Sequence, residues 1–345
     1  MHMADALISP AVGATLWAAS AGLIGYSSRK FKEEADDRKV PLMGVLAAFI
    51  FTVQMINFSI PATGSSGHLG GGMILAILLG PFSAFLAVAS VLVVQALFFG
   101  DGGLLALGCN IFNLGFFPCF VAYPFVYRKI VRNHLTHGKI VAGSLAAAVI
   151  GLQLGAFGVV LETLFSGITE LPFVTFVLLM QPIHLAIGIV EGLVTAAVVL
   201  FVFQARPEIL YAVTRVEPIG AANMRTVLAG LLVATLISGG ALSWFASSHP
   251  DGLEWAMLQT SGKEELESPL GLHASLESWQ EKTAFLPDYG FKEAGVNVAS
   301  EPLSGPSWPA VDAGTSVSGL MGGALTLLMT VCIGWGLRWR ERTAA

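Results

Sequence analysis

"MILAILLGPFSAFLAVASVLVVQALFF", Met73–Phe99, carries no charge and only three polar side chains, and the number of helices it makes decides the fold. At about 1.5 Å per residue it is long enough to cross a hydrocarbon core in a single pass. Gly80-Pro81 interrupts it. Proline removes a helical hydrogen bond and its ring clashes with the preceding turn, so the run is expected to break there. The products are a short helix, Met73–Leu79, and a long one, Phe82–Phe99. The short one cannot span by itself. Because unpaired backbone is costly in lipid, it must be re-entrant or sheltered by neighbours.

Charge decides between one helix and two. Other apolar runs fall at Ile8–Tyr26, Pro41–Phe58, Leu104–Tyr127, Val141–Phe165, Phe173–Phe203, Val227–Phe245 and Ser316–Trp339. Lys and Arg gather on the cytoplasmic side of membrane proteins. "SSRKFKEEADDRK" follows the first run, which puts the N-terminus outside and "SIPATGSSGHLGG" outside after the second. A single helix over Met73–Phe99 would place "YRKIVRNHLTHGK" outside, against the rule. Two helices return it to the inside, together with Arg206–Arg225 and the terminal "RWRER".

Composition agrees with a membrane chain. The 345 residues are 54% hydrophobic and 12% charged, with mean hydropathy +0.73; soluble domains carry about 25% charged residues. The short alternating segments of a transmembrane barrel are absent. No basic stretch precedes the first apolar run, so it does not read as a cleavable signal. The expected fold is an all-α polytopic membrane protein: a seven-helix bundle over residues 1–205, a cytoplasmic linker over 206–225, and a two-helix C-terminal module over 226–345. That module holds an external loop at 247–315. Its central part, His249–Ala313, has 11 Asp/Glu against three Lys and reads foremost as a solvated linker, with gathering of cations the sharper alternative. Cys109, Cys119 and Cys332 form no CxxC pair and read as small core residues.

The chemistry starts at Met1-His2. A free amine, the deprotonated amide nitrogen of His2 and its imidazole form adjacent five- and six-membered chelate rings. Three nitrogens in a plane suit Ni(II) and Cu(II), which favour tetragonal nitrogen sites. His68, in the glycine-rich "TGSSGHLGGG" on the same side, is the expected fourth donor. Met1 is expected to survive processing, because His2 is too large for the trimming aminopeptidase. His134 and His137 lie in the inner basic loop; His249 and His273, in the outer acidic one, receive no role. In "QPIHLAIGIVEG", His184 and Glu191 share one face of a helix. They read equally as a pathway for ions or protons and as a packing pair. Asn110 and Glu162 carry the same two readings, with packing favoured. No GxxxxGK[ST] phosphate loop and no HExxH motif occurs. Basic residues are confined to short loops, which gives no case for nucleic-acid binding.

"MHMADALISP", "GSSGHLGGG", "LGCNIFNLG" and "QPIHLAIGIVEGLVT" together resemble the cobalt and nickel capture components of energy-coupling factor transporters, the CbiM/NikM type, over Met1 to about Phe203. "SSHPDGLEWA" resembles the PDGLE segment of their small N-type partner, here fused to the M-type unit. The resemblance implies a seven-helix capture bundle in a prokaryotic plasma membrane. It implies Ni2+ or Co2+ as transported substrate, held by the Met1 amine, the amide and imidazole of His2, and His68. It also implies a T-type transmembrane coupling subunit and cytoplasmic ATPases as partners, and supply of metal to cobalamin synthesis or nickel enzymes. No enzymatic activity is expected of this chain. The competing reading is a proton-coupled secondary cation transporter built on His184 and Glu191. An enzyme using acidic-loop carboxylates would need a close pair, and no pairing motif is present.

Overall fold

The computed structural model describes residues 2–34, 36–132, 134–219, 224–292 and 308–342. It is helical, with one short β-hairpin. Helix α1 is Pro10–Glu33, α2 Lys39–Gln54, α3 Gly72–Leu79, α4 Pro81–Phe99, α5 Leu107–Val131, α6 His137–Ser166 and α7 Phe173–Ala205. Between α2 and α3, β1 (Phe58–Ile60) pairs antiparallel with β2 (Ser65–Gly67). Strands of three residues are too short to leave a periodic signal, and the sequence reads there as plain loop.

The break at Gly80-Pro81 is present. Gly80 takes φ 85°, a conformation that favours glycine, and Pro81 opens α4. Every residue of α3 is buried, so this short helix is sheltered by its neighbours. In α5, Pro118 and Pro124 lack the N–H of a regular ladder, and the turns widen over Phe112–Tyr127. Helices α6 and α7 approach so closely that a Cβ on Gly192 would lie 2.7 Å from the Leu145 Cα, and one on Gly188 3.1 Å from the Val149 Cα. Small residues allow this backbone contact in a bundle that lipid cannot drive together.

Among the described residues, five helices are long and apolar enough to cross a membrane: α4, α5, α6, α7 and Ala313–Trp339. The chain is a multi-pass membrane protein. Helix α1, expected to span at Ile8–Tyr26, is not among the five. Its small and polar residues, and the charges of its last turns, lower its hydropathy. It is tied down instead by Ser20 Oγ donating to Gly108 O (2.7 Å) and Trp17 Nε1 to Leu104 O (3.0 Å).

The stretch expected to be a bare linker contains α8, Pro207–Arg215, with Ile209, Leu210, Ala212 and Val213 buried; residues 220–223 lie outside the described ones. The last apolar helices, α9 (Arg225–Gly240) and α12 (Ala313–Arg342), pack on α2. Gly322 sits against the Phe51 ring, Gly44 against Val331, and Gly239 against the backbone of Gly319. Between α9 and α12, the segment read as a solvated linker folds into α10 (Gly252–Ser261) and α11 (Leu272–Thr283). His273 Nε2 meets Ile8 O at 2.8 Å, and Gln280 Nε2 donates to Ala96 O (2.9 Å) and Gly102 O (2.6 Å). The buried contact of His273 and the half-buried ones of Gln280 hold it on the bundle. Cys109 and Cys119 are buried, but Cys332 is exposed, not core, because it falls on the face of α12 turned away from α2.

Candidate metal centre

The segment after His2 is clamped by its main chain. Met3 N donates to Asn110 Oδ1 (2.8 Å), while Asn110 Nδ2 and Gly103 N donate to Met3 O at 3.2 and 2.9 Å. Asp5 Oδ1 accepts from Ala106 N at 2.9 Å. The bed for this segment is the glycine-rich turn between α4 and α5. A Cβ on Gly103 would fall 1.9 Å from Asp5 Oδ1, so no other residue fits.

His68 follows β2 directly. Its position is set by Glu191, whose carboxylate accepts from Gly70 N (2.9 Å) and Gly71 N (3.1 Å). Gln54 Nε2 donates to Gly70 O at 2.8 Å, and Gln95 Nε2 to Gln54 Oε1 at 2.9 Å. Two segments 66 residues apart are thus brought face to face. The His2 and His68 rings stack with centroids 5.0 Å apart and 12° between planes. Met1, the remaining member of the expected square, lies outside the described residues. Among the described residues no three His, Cys, Asp or Glu side chains converge on one point, whereas a square of this kind draws only its two imidazoles from side chains.

Two carboxylates flank the rings, and the sequence reading missed both in this role. Asp101 Oδ1 is 2.9 Å from His2 Nδ1, the nitrogen through which a six-membered chelate ring would close, so a metal there has to displace this contact; Tyr289 donates its hydroxyl to Asp101 Oδ2 while stacking on Phe99. Asp251 Oδ2 lies 3.7 Å from His68 Nε2. Burial works against the charge of each carboxylate, but the contacts of His2 and Tyr289 with Asp101, and of His68 among others with Asp251, outweigh it and hold both well below the usual range. Burial lowers the pKa of His68 and so favours the neutral ring that a metal requires. The signal for Asp101 was its place before Gly102-Gly103; that for Asp251 was its place as a helix cap.

Asp251 opens α10. Its Oδ1 accepts from Leu253 N (2.7 Å) and Glu254 N (2.9 Å), and Glu254 Oε2 accepts from Asp251 N in return (2.8 Å). This capping box fixes one carboxylate oxygen and aims the other at His68. The same turn is stitched to the hairpin: Ser66 N donates to Pro250 O (2.8 Å), and Trp255 Nε1 to Thr63 O (3.0 Å). A Cβ on Gly252 would meet Ile183 Cγ2 at 2.8 Å and His184 Cε1 at 3.2 Å. Gly252→Ala is therefore expected to lift this turn, at about 1–3 kcal/mol of overpacking. Hydrogen-exchange mass spectrometry should show faster exchange across 250–258; unchanged protection would mean that the contact has room to relax.

Residues 2–209 match the model of CbiM, described as the cobalt uptake substrate-specific transmembrane region. The chain belongs to the CbiM family. Residues 225–339 match the PDGLE domain, so a CbiM region is fused here to a PDGLE segment. A Haloquadratum walsbyi protein named for metal transport is 37% identical over 215 residues, 61% of this chain and 94% of that one. An Archaeoglobus fulgidus protein named as a fused nickel transport protein, NikMN, is 36% identical over 217 residues, 61% of this chain and 68% of that one. A solved truncated transition metal transporter has TM-score 0.53 and 31% identity, over 59% of this chain and 99% of that one.

Within the CbiM region, the other polar residues singled out from the sequence take different places. Asn110 holds Met3, and Glu162 Oε2 accepts from Asn113 Nδ2 at 2.8 Å. Glu191 anchors the His68 loop. His184 and Glu191 lie on one helix with different partners, since His184 Nδ1 is bonded to Met180 O at 2.8 Å.

Proposed function

We propose that this CbiM-family chain is the substrate-binding membrane component of an ATP-driven energy-coupling factor importer for Ni2+ or Co2+. The metal is held by the Met1 amine, the His2 amide nitrogen and imidazole, and the His68 imidazole. The family description and the name of the fused nickel relative support transport of these ions. The observation that carries the site is the 5.0 Å stack of His2 on His68, with the N-terminal segment clamped by Asn110 and the His68 loop by Glu191. A T-type coupling subunit and cytoplasmic ATPases drive the cycle. The N-terminus faces outward, the C-terminus is cytoplasmic, and the imported metal serves cobalamin synthesis or nickel enzymes.

Four nitrogens in a plane favour Ni2+ by geometry and by affinity order. Purified protein with an unmodified N-terminus, titrated with Ni2+ and with Co2+, is expected to bind one ion tightly, with a yellow d–d band of planar type for nickel. Tighter cobalt binding would keep the site and change the cargo. Absence of binding by either metal would remove the reading.

A further inference from the structure

Beyond α11 the PDGLE segment stays on the bundle. Phe285 packs on Phe98 and Phe99 at the end of α4, with ring centroids 5.5 and 6.0 Å apart, and Leu286 N donates to Phe98 O (3.3 Å). The chain then turns through Asp288 and Tyr289 with φ 50° and 59°. Two successive non-glycine residues in the left-handed region are strained, and such strain persists only where surrounding contacts impose it. Here those contacts belong to Tyr289. Its ring stacks on Phe99 (5.2 Å, 21°) and meets Phe51 edge-on (6.1 Å), and its hydroxyl donates to Asp101 Oδ2.

Asp101 stands between Gly100 and Gly102, so no adjacent side chain holds its carboxylate. The Tyr289 hydroxyl does so from across the fold. With Oδ2 taken, Oδ1 faces His2 Nδ1 at 2.9 Å. Nε2 of the same ring has no hydrogen bond among the described residues, so the Asp101 contact and the stack on His68 set how the ring is turned. Nδ1 can face Asp101 or a chelated ion, not both. When the ring turns away, Oδ1 loses its partner in a half-buried place, and Tyr289 keeps the carboxylate from swinging out to water. The hydroxyl therefore makes release of His2 costly.

We propose that Tyr289 is a positioning residue that latches His2: it fixes the Asp101 carboxylate on Nδ1 and so slows entry of the ion into the chelate. The proposal rests on the metal-capture reading above. It gives the PDGLE segment control over metal loading through one hydroxyl, not through a donor to the ion. The strained turn suits a latch, because once the contacts of Tyr289 are lost, residues 288 and 289 relax to ordinary backbone.

The test uses full-length Tyr289→Phe, Asp101→Asn and the double variant, each with an unmodified N-terminus, mixed with Ni2+ by stopped flow and followed at the d–d band. Tyr289→Phe keeps the stack on Phe99 and the charge of Asp101. It should raise the association rate about fivefold, somewhat less than one hydrogen bond to a charged group is worth, with the one-to-one band unchanged. Added to Asp101→Asn, the same change should alter the rate less than about twofold, because the hydroxyl acts through the carboxylate. A parental or slower rate in Tyr289→Phe overturns the proposal, since the residue then only packs or serves the loaded chelate. A fivefold effect that survives in the double variant overturns it too. So does loss of binding in Asp101→Asn, which would make the carboxylate a support of the chelate and not its competitor. Failure of the parent chain itself to bind Ni2+ instead removes the capture reading.

Discussion

His2→Ala is expected to lower Ni2+ affinity by about three orders of magnitude, roughly 4 kcal/mol. The substitution removes an imidazole donor and opens the six-membered chelate ring, leaving the amide nitrogen with little reason to give up its proton. An N-terminal extension by even one residue should do as much damage, because it turns the amine into an amide. The fold should tolerate both changes, since Met3 and Asp5, not His2, make the contacts that hold this segment to Asn110, Gly103 and Ala106. His134→Ala, in a loop distant in sequence from both ligands, serves as the control and should titrate like the parent. Titration followed by the d–d band reads all three. Normal binding by the extended protein would refute the chelate.

Glu191→Gln is expected to weaken Ni2+ binding about a hundredfold, near 3 kcal/mol, without touching a ligand. The carboxylate accepts from two backbone amides, Gly70 N and Gly71 N, two and three residues beyond His68. A glutamine offers one acceptor, and its NH2 then faces an N–H, so one buried donor is left unpaired. Hydrogen bonds to a charged group contribute about 1.5–3 kcal/mol each, and an unpaired buried group costs a similar amount. The loop carrying His68 should loosen and the ring should leave the stack with His2. Titration together with thermal unfolding in detergent checks this. Glu162→Gln is the comparison, since Glu162 serves Asn113 and not the His68 loop; equal effects of the two changes would mean that general destabilisation, not loop position, is being measured.

Much of this protein is legible along the chain because the features involved are local. A proline after a glycine breaks an apolar run wherever it stands, and Gly80-Pro81 does so here. Likewise Met1-His2 announces a chelate because its rings close within two residues. What failed to show was contact between segments far apart in sequence. The stretch after α9 looked like a solvated linker by composition, yet it carries the buried contact of His273 and the half-buried one of Gln280. Asp251 looked like one of many acidic residues, and only its approach to His68 sets it apart.

Glu191 and His184 make the same division from within one helix. Seven residues apart and both buried, they are equivalent in any periodic reading. The close packing of α6 and α7 and the course of the glycine loop give one of them two amide donors and leave the other's Nε2 with no hydrogen bond among the described residues. The sequence by itself determined a helical membrane chain and the break in its third apolar run, and it points to the nitrogen donors proposed above, since those depend on hydropathy and bond connectivity over a few residues. The tertiary structure alone decided that His2 and His68 stack, that Asp101 and Asp251 flank them, and that the PDGLE turn covers the pair. Those facts depend on which surfaces pack when 345 residues fold together, and no local pattern carries that information.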